Sequence, residues 1–183
     1  ADFTMEEIIA NMVGREITNQ FPRDTVERGK KVLEVRNLTA GRAVKGVSFE
    51  AYEGEVLGFS GLVGAGRTET MRAIFGADPK DGGEILLDGK ALTINSPADA
   101  IRQGIVLAPE DRKKDGLCTK LSIRSNIALP NLDLICNQVG TVIRNRENSM
   151  IEKGKSSLTI KMANAEVEAG SLSGGNQQKI VVA

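Results

Sequence analysis

The octapeptide Gly61-Leu62-Val63-Gly64-Ala65-Gly66-Arg67-Thr68 constrains this chain more than any other stretch. It follows an apolar run, Glu55 to Ser60, that reads as a strand. It precedes apolar spacing of helical period from Thr68 to Phe75. Strand, glycine-rich loop and helix in that order is the context a phosphate-cradling loop requires. The glycines let backbone N–H groups turn inward toward an anion, and the helix N-terminus adds its dipole. Gly61, Gly64, Ala65, Gly66, Arg67, Thr68 and Glu69 form the candidate nucleotide-binding set, with Thr68 where a hydroxyl ligand of Mg²⁺ belongs. The strict pattern has Lys where this chain has Arg67. A planar, forked guanidinium is no conservative stand-in for a compact ammonium at such a site. A glycine-rich strand–helix turn without a ligand is the competing reading.

Composition removes several chemistries. The 183 residues contain no His, which excludes imidazole catalysis and His metal ligands. Two cysteines, Cys118 and Cys136, cannot fill a four-ligand zinc site alone and read as free thiols of a reducing compartment. Twenty-four basic residues offset twenty-four acidic ones, so bulk charge draws the chain to neither nucleic acid nor an anionic membrane. Five Phe, one Tyr and no Trp leave the core to Val, Ile, Leu and Ala. The most apolar run, Val56 to Gly66, has eleven residues, four of them Gly. That is far short of the ~20 that span a bilayer. Acids near the N-terminus (Asp2, Glu6, Glu7) stand where a signal peptide would be positive. A soluble, cytoplasmic type of chain is expected.

Residues 4–14 read as a helix with capping-box spacing at Thr4-Met5-Glu6-Glu7. A charged stretch over 21–31 reads as a linker, which assigns 1–20 to the end of a preceding domain and 32–183 to the main unit; a helix covering the same domain is the alternative. Strand patterns begin at Val32 and continue over Val47–Tyr52. Asp88-Gly89 between Glu84–Leu87 and Ala91-Leu92 is a two-residue hairpin signal. Ser96-Pro97 opens a helix that Gly104 closes. Ile105–Ala108 reads as a short buried strand ended by Pro109. Helical character follows over Ser122–Leu129, from about Arg144 to Met162, and from Ser173 onward.

Leu172-Ser173-Gly174-Gly175-Asn176-Gln177-Gln178-Lys179 is the second motif. A Ser and two Gly at a helix start offer hydroxyl and backbone donors to an anion. Taken by itself, the motif reads first as an ordinary N-cap followed by flexible glycines. Together the two motifs, about a hundred residues apart with a helical insert between them, resemble the nucleotide-binding domain of ABC transporters over residues 32–183. GLVGAGRTE (Gly61 to Glu69), APEDRK (Ala108 to Lys113) and LSGGNQQ resemble the second ATP-binding domain of bacterial monosaccharide importers, the ribose, galactose, arabinose and xylose group. In that resemblance Arg67 is the usual form of the second domain.

The resemblance implies an α/β P-loop ATPase fold with a β-rich front, a RecA-like core and a helical subdomain over roughly 110–175. It implies ATP and Mg²⁺ as ligands, weakly held or absent here. Its partners would be a second nucleotide-binding domain and transmembrane permease subunits, with a periplasmic sugar-binding protein acting indirectly and no nucleic acid. The location would be cytoplasmic, peripheral at the inner face of the membrane. Leu172, Ser173, Gly174, Gly175, Asn176 and Gln177 would contact ATP held by the partner domain, while the phosphate loop would hold this domain's own nucleotide. Glu110 stands where the family has a Gln that touches Mg²⁺ and the permease. An adenine-stacking ring usually lies between the first two strands, yet no aromatic occurs between Phe21 and Phe49. The Mg²⁺-binding Asp and catalytic Glu of the family belong beyond residue 183. The chain therefore reads as a fragment, truncated after the signature and inactive alone, of a parent that is an ATPase. Two functions compete: an energy-coupling domain whose signature completes the partner's site, and a non-hydrolysing module docked to membrane subunits. An ABC-type DNA-repair ATPase would need a long coiled-coil insert, which the segment between Ile105 and Ser171 lacks.

Overall fold

The structure, a computed structural model, describes residues 27–183. The expected helix over 4–14 and the first part of the linker lie outside the described residues. Lys31, placed in the linker by its charge, instead opens the first strand.

Four strands form one antiparallel sheet in the order β2-β1-β3-β4. They are β1 (Lys31–Ala40), β2 (Val44–Tyr52), β3 (Gly82–Leu87) and β4 (Lys90–Ala91). The β3–β4 hairpin turns on Asp88 (φ 48°) and Gly89 (φ 77°). Both central residues are left-handed, as the turn matching strand twist demands. The inner face of the sheet packs against α1 (Arg67–Phe75) and α2 (Pro97–Arg102). Val35, Leu38, Val44, Ala73, Ile74, Ile85, Ile94 and Ala100 make up this first core. Helix α2 begins as expected: the Ser96 hydroxyl oxygen accepts from the Asp99 N–H at 3.3 Å.

A second core lies among α3 (Ile123–Ala128), α5 (Arg144–Ser157) and α6 (Gly174–Val182), with the short α4 (Leu132–Ile135) beside α5. Its centre is Ile123, Ile127, Ile151, Ile160, Ala169 and Ile180. Burying each isoleucine contributes about 1.5–3 kcal/mol, and branched aliphatics supply what the scarce aromatics do not. An ion-pair network closes one side. Glu147 is 5% exposed and lies 2.6 Å from Arg144 and 3.2 Å from Arg124. Arg124 also pairs with Glu166 at 2.6 Å. Helix α5 ends at Ser157, short of the expected Met162, because Thr159 takes a left-handed φ of 51°.

Two expected strands differ. Glu55–Ser60 and Ile105–Ala108 form no strand and enter no ladder. A strand exists only through a neighbour's carbonyls and N–H groups, and among the described residues none lies alongside either segment. Val56 is 98% and Val106 79% exposed in consequence. Phe59 meets Phe49 edge to face with ring centroids 4.9 Å apart, and Ile105 packs against the first core.

Candidate functional site

The phosphate loop is shaped by Gly64 and Gly66, both at φ 81°. Gly66 is also a packing requirement, since a Cβ there would lie 2.6 Å from the Ala43 carbonyl oxygen in the β1–β2 turn. Helix α1 starts immediately after it, with no side chain capping its N-terminus. Within the loop the Ala65 N–H donates to the Leu62 carbonyl at 3.0 Å. The first helical bond is Thr70 N–H to the Gly66 carbonyl at 2.9 Å. The N–H groups of Gly64, Gly66, Arg67, Thr68 and Glu69 donate to no carbonyl or side chain of the described residues. A run of open donors at an uncapped helix N-terminus is a chemistry that suits phosphate oxygens.

Arg67 bends back over this loop, with its Cδ 3.8 Å from where a Cβ on Gly61 would sit. Glu69 is exposed in the first turn of α1. The Thr68 hydroxyl donates to Glu110 Oε2 at 2.8 Å, so the expected metal-ligand residue and the residue at the Gln position meet directly. Both present hard oxygen atoms, the donor type Mg²⁺ takes. A cleft of about 750 Å³ adjoins them, walled by Thr68, Met71, Arg72 and the segment from Leu107 to Asp115. The Arg72 guanidinium is already engaged, donating to both oxygens of Asp78 at 2.8 and 2.9 Å. Those bonds hold the Asp78 carboxyl below its usual range. Among the described residues no cluster of His, Cys, Asp or Glu could bind a metal alone, so a cation at Thr68 would need phosphate oxygens as well.

The second motif lies at the start of α6. Ser173 occupies the N-cap position, yet its side chain accepts nothing from its own helix backbone. Its oxygen accepts instead from Asn176 Nδ2 at 3.0 Å, which leaves the hydroxyl hydrogen available as a donor. Gly175 faces open space. Leu172 packs on the second core, and Asn176 Oδ1 accepts from the Lys161 N–H at 2.9 Å. Gln177 departs from its expected outward role. It is 3% exposed, and its Nε2 donates to the carbonyls of Ala169, Gly170 and Leu172 at 3.4, 3.3 and 3.0 Å. Helical spacing turns this side chain inward, where it braces the loop leading to Ser173.

The run Glu110 to Asp115 reads in sequence as a charged loop, and here the structure adds to it. Asp111 accepts from the N–H groups of Lys113 and Lys114 at 3.0 and 3.2 Å and opens a π-helical turn, Arg112–Gly116. Arg112 Nε then donates to Gln177 Oε1 at 3.3 Å. Nothing in residue spacing announces this contact, which joins positions 65 residues apart.

The sequence model of the family described as ABC transporter matches residues 44–183. The chain belongs to the ABC transporter family. The ribose import ATP-binding protein RbsA of Lacticaseibacillus paracasei is 47% identical over 182 residues, covering 100% of this chain and 36% of that protein. RbsA of Bacillus subtilis is 46% identical over 178 residues, covering 97% and 36%. A putative ribose/galactose/methyl galactoside import ATP-binding protein of Agrobacterium fabrum is 42% identical over 183 residues, covering 100% and 36%. The chain thus spans about a third of the length of the curated relatives it matches. Among solved structures, a nucleotide-free ATP-binding cassette from an ABC transporter superposes with a TM-score of 0.66 at 22% identity, covering 84% of this chain and 63% of the other. CbiO1 of Clostridium perfringens gives 0.63 at 17% identity, covering 83% and 59%. The expected α/β P-loop ATPase fold is therefore the fold of this ABC chain. Among its described residues no helix is long and apolar enough to cross a membrane.

Proposed function

We propose that this ABC domain is an energy-coupling element of a monosaccharide importer of the ribose-import kind, and that it works chiefly by completing the ATP site of a partner domain. The state of Ser173 carries the reading. Its hydroxyl does not cap α6, so the hydroxyl and the first N–H groups of that helix are free to meet the terminal phosphate of ATP on the partner. Gly175, without a side chain, leaves the approach open. The chain's own loop offers the Gly64–Glu69 amides and the Thr68 hydroxyl to a nucleotide. Arg67 in place of Lys and Glu110 beside Thr68 weaken that site, since a carboxylate repels phosphate. ATP, when held at either site, supplies the phosphoanhydride bond whose cleavage drives transport.

The domain arrangement follows the same reading. Residues 1–20 end a first domain, 21–30 link it, and the unit that begins with β1 at Lys31 is a second whose helical part, near 110–175, faces permease subunits. The chain would lie at the inner face of the cell membrane, with a periplasmic sugar-binding protein engaged only through the permease and no nucleic acid as partner. The curated relatives named for ribose import support the substrate class.

The competing reading is a non-hydrolysing module, favoured by the folded-back position of Arg67. Turnover of the full two-domain subunit in complex with its permease separates the two. Gly175→Asp should suppress ATP turnover strongly, and Arg67→Ala should do much less. Equal damage from both changes would overturn the assignment of helper and active sites.

A further inference from the structure

We propose that Arg112 is a positioning residue that ties the signature turn of α6 to the phosphate loop of its own domain, so that a change at Thr68 alters how Ser173 is presented. The inference rests on the reading that this signature serves the partner's nucleotide. The link begins where Glu110 accepts the Thr68 hydroxyl at 2.8 Å. Two residues on, Arg112 Nε donates to Gln177 Oε1 at 3.3 Å. Its Nη2 lies only 2.7 Å from where a Cβ on Gly174 would sit, so the guanidinium lies across the first turn of α6. Gln177 carries the contact onward through its Nε2, which donates to Ala169, Gly170 and Leu172, the backbone that delivers Ser173.

The connection has little slack. Asp111 fastens the turn by accepting from two successive N–H groups. At its far end Gly116 is closely backed, for a Cβ there would meet Pro109 at 3.0 Å and Val181 of α6 at 3.2 Å. The helix dipole disfavours a cation at the N-terminus of α6, so local electrostatics do not explain why Arg112 lies there. Gln177 does, because its amide oxygen takes the guanidinium N–H while its NH₂ is committed to the three carbonyls. A shift of Glu110 is thereby transmitted to the turn that carries Ser173, with Arg112 touching no substrate itself.

The test uses the full two-domain subunit with its permease and measures kcat, KM for ATP and thermal midpoint. Arg112→Ala should lower kcat about tenfold with KM changed less than twofold and the midpoint held within about 2 °C. Arg112→Lys, which keeps one donor for Gln177, should recover kcat to within about threefold. Glu110→Gln and Arg112→Ala should combine non-additively, as members of one connected network do. Unchanged kcat in Arg112→Ala, or additive effects of the pair, would overturn the link while a damaging Gly175→Asp control keeps the signature reading intact. Full turnover in Gly175→Asp would instead remove that reading, and the proposal with it.

Discussion

The Thr68 hydroxyl and the Glu110 carboxylate, 42 residues apart in sequence, meet at 2.8 Å at the entrance to α1. A carboxylate held there repels an incoming phosphate. At about 4 Å this repulsion is worth about 1 kcal/mol in water and more in a drier cleft. Glu110→Gln should therefore raise affinity for metal-free ATP about three- to tenfold, read by calorimetric titration. With Mg²⁺ present the gain should shrink, because the cation offsets the carboxylate charge.

Gly66 and Gly64 share a φ of 81° but differ in surroundings. Gly64→Ala incurs only the left-handed backbone strain, about 1–2 kcal/mol, because its Cβ would enter open space. Gly66→Ala adds a collision with the Ala43 carbonyl at 2.6 Å and should cost clearly more. Denaturant unfolding of the two variants should rank them in that order.

Arg124 joins α3 to Glu147 on α5 and to Glu166. Arg124→Ala would leave the buried Glu147 with Arg144 alone, an exposed side chain. Breaking a buried pair costs about 3–5 kcal/mol, and the surviving Arg144 contact places the expected loss near the lower end. Thermal unfolding should show it, whereas Arg144→Ala should have the smaller effect.

Glu34 has its carboxyl lowered from the ordinary 4.5 to about 2, first by the hydrogen bond from Arg36 and then by that from Lys31. A carboxyl depressed by folding stabilises the folded chain above its unfolded pKa. The contribution fades as pH falls from about 4.5 toward about 2. Arg36→Ala should move the Glu34 titration upward in a carboxyl-detected NMR experiment and flatten the loss of stability across that window. Added salt should imitate the variant, because the pair lies at the surface.

Ile127 and Val106 contrast as apolar residues, being 1% and 79% exposed. Ile127→Ala should cost about 2–5 kcal/mol through its cavity. Val106→Ser should stay within about 0.5 kcal/mol, since it removes almost no buried surface. A comparable loss from Val106→Ser in urea unfolding would show that the Val106 side chain is packed.

Features set by a residue and its near neighbours were legible in sequence. Asp88-Gly89 specified its hairpin, Ser96 and Ser122 began their helices, and the glycines of 61–66 announced a loop before α1. Local backbone preference and capping decide such features, and both are written in a few consecutive letters. The pairing of Glu55–Ser60 was not legible, because apolar alternation shows that a segment can be a strand but not that a neighbour lies beside it. Nor was the bond from Arg112 to Gln177, since a charged run reads as solvated until the chain folds back on it. The same holds for Ser173, whose letters fit a helix cap as well as a phosphate ligand. The Asn176 amide, three residues along the same helix, donates to its oxygen and leaves that hydroxyl's hydrogen free. Sequence thus fixed which groups this domain owns and where its turns and helix starts fall. Contacts between distant segments decided which groups are spent on the fold and which stay open to a ligand, because a hydrogen bond depends on position in space rather than on spacing along the chain.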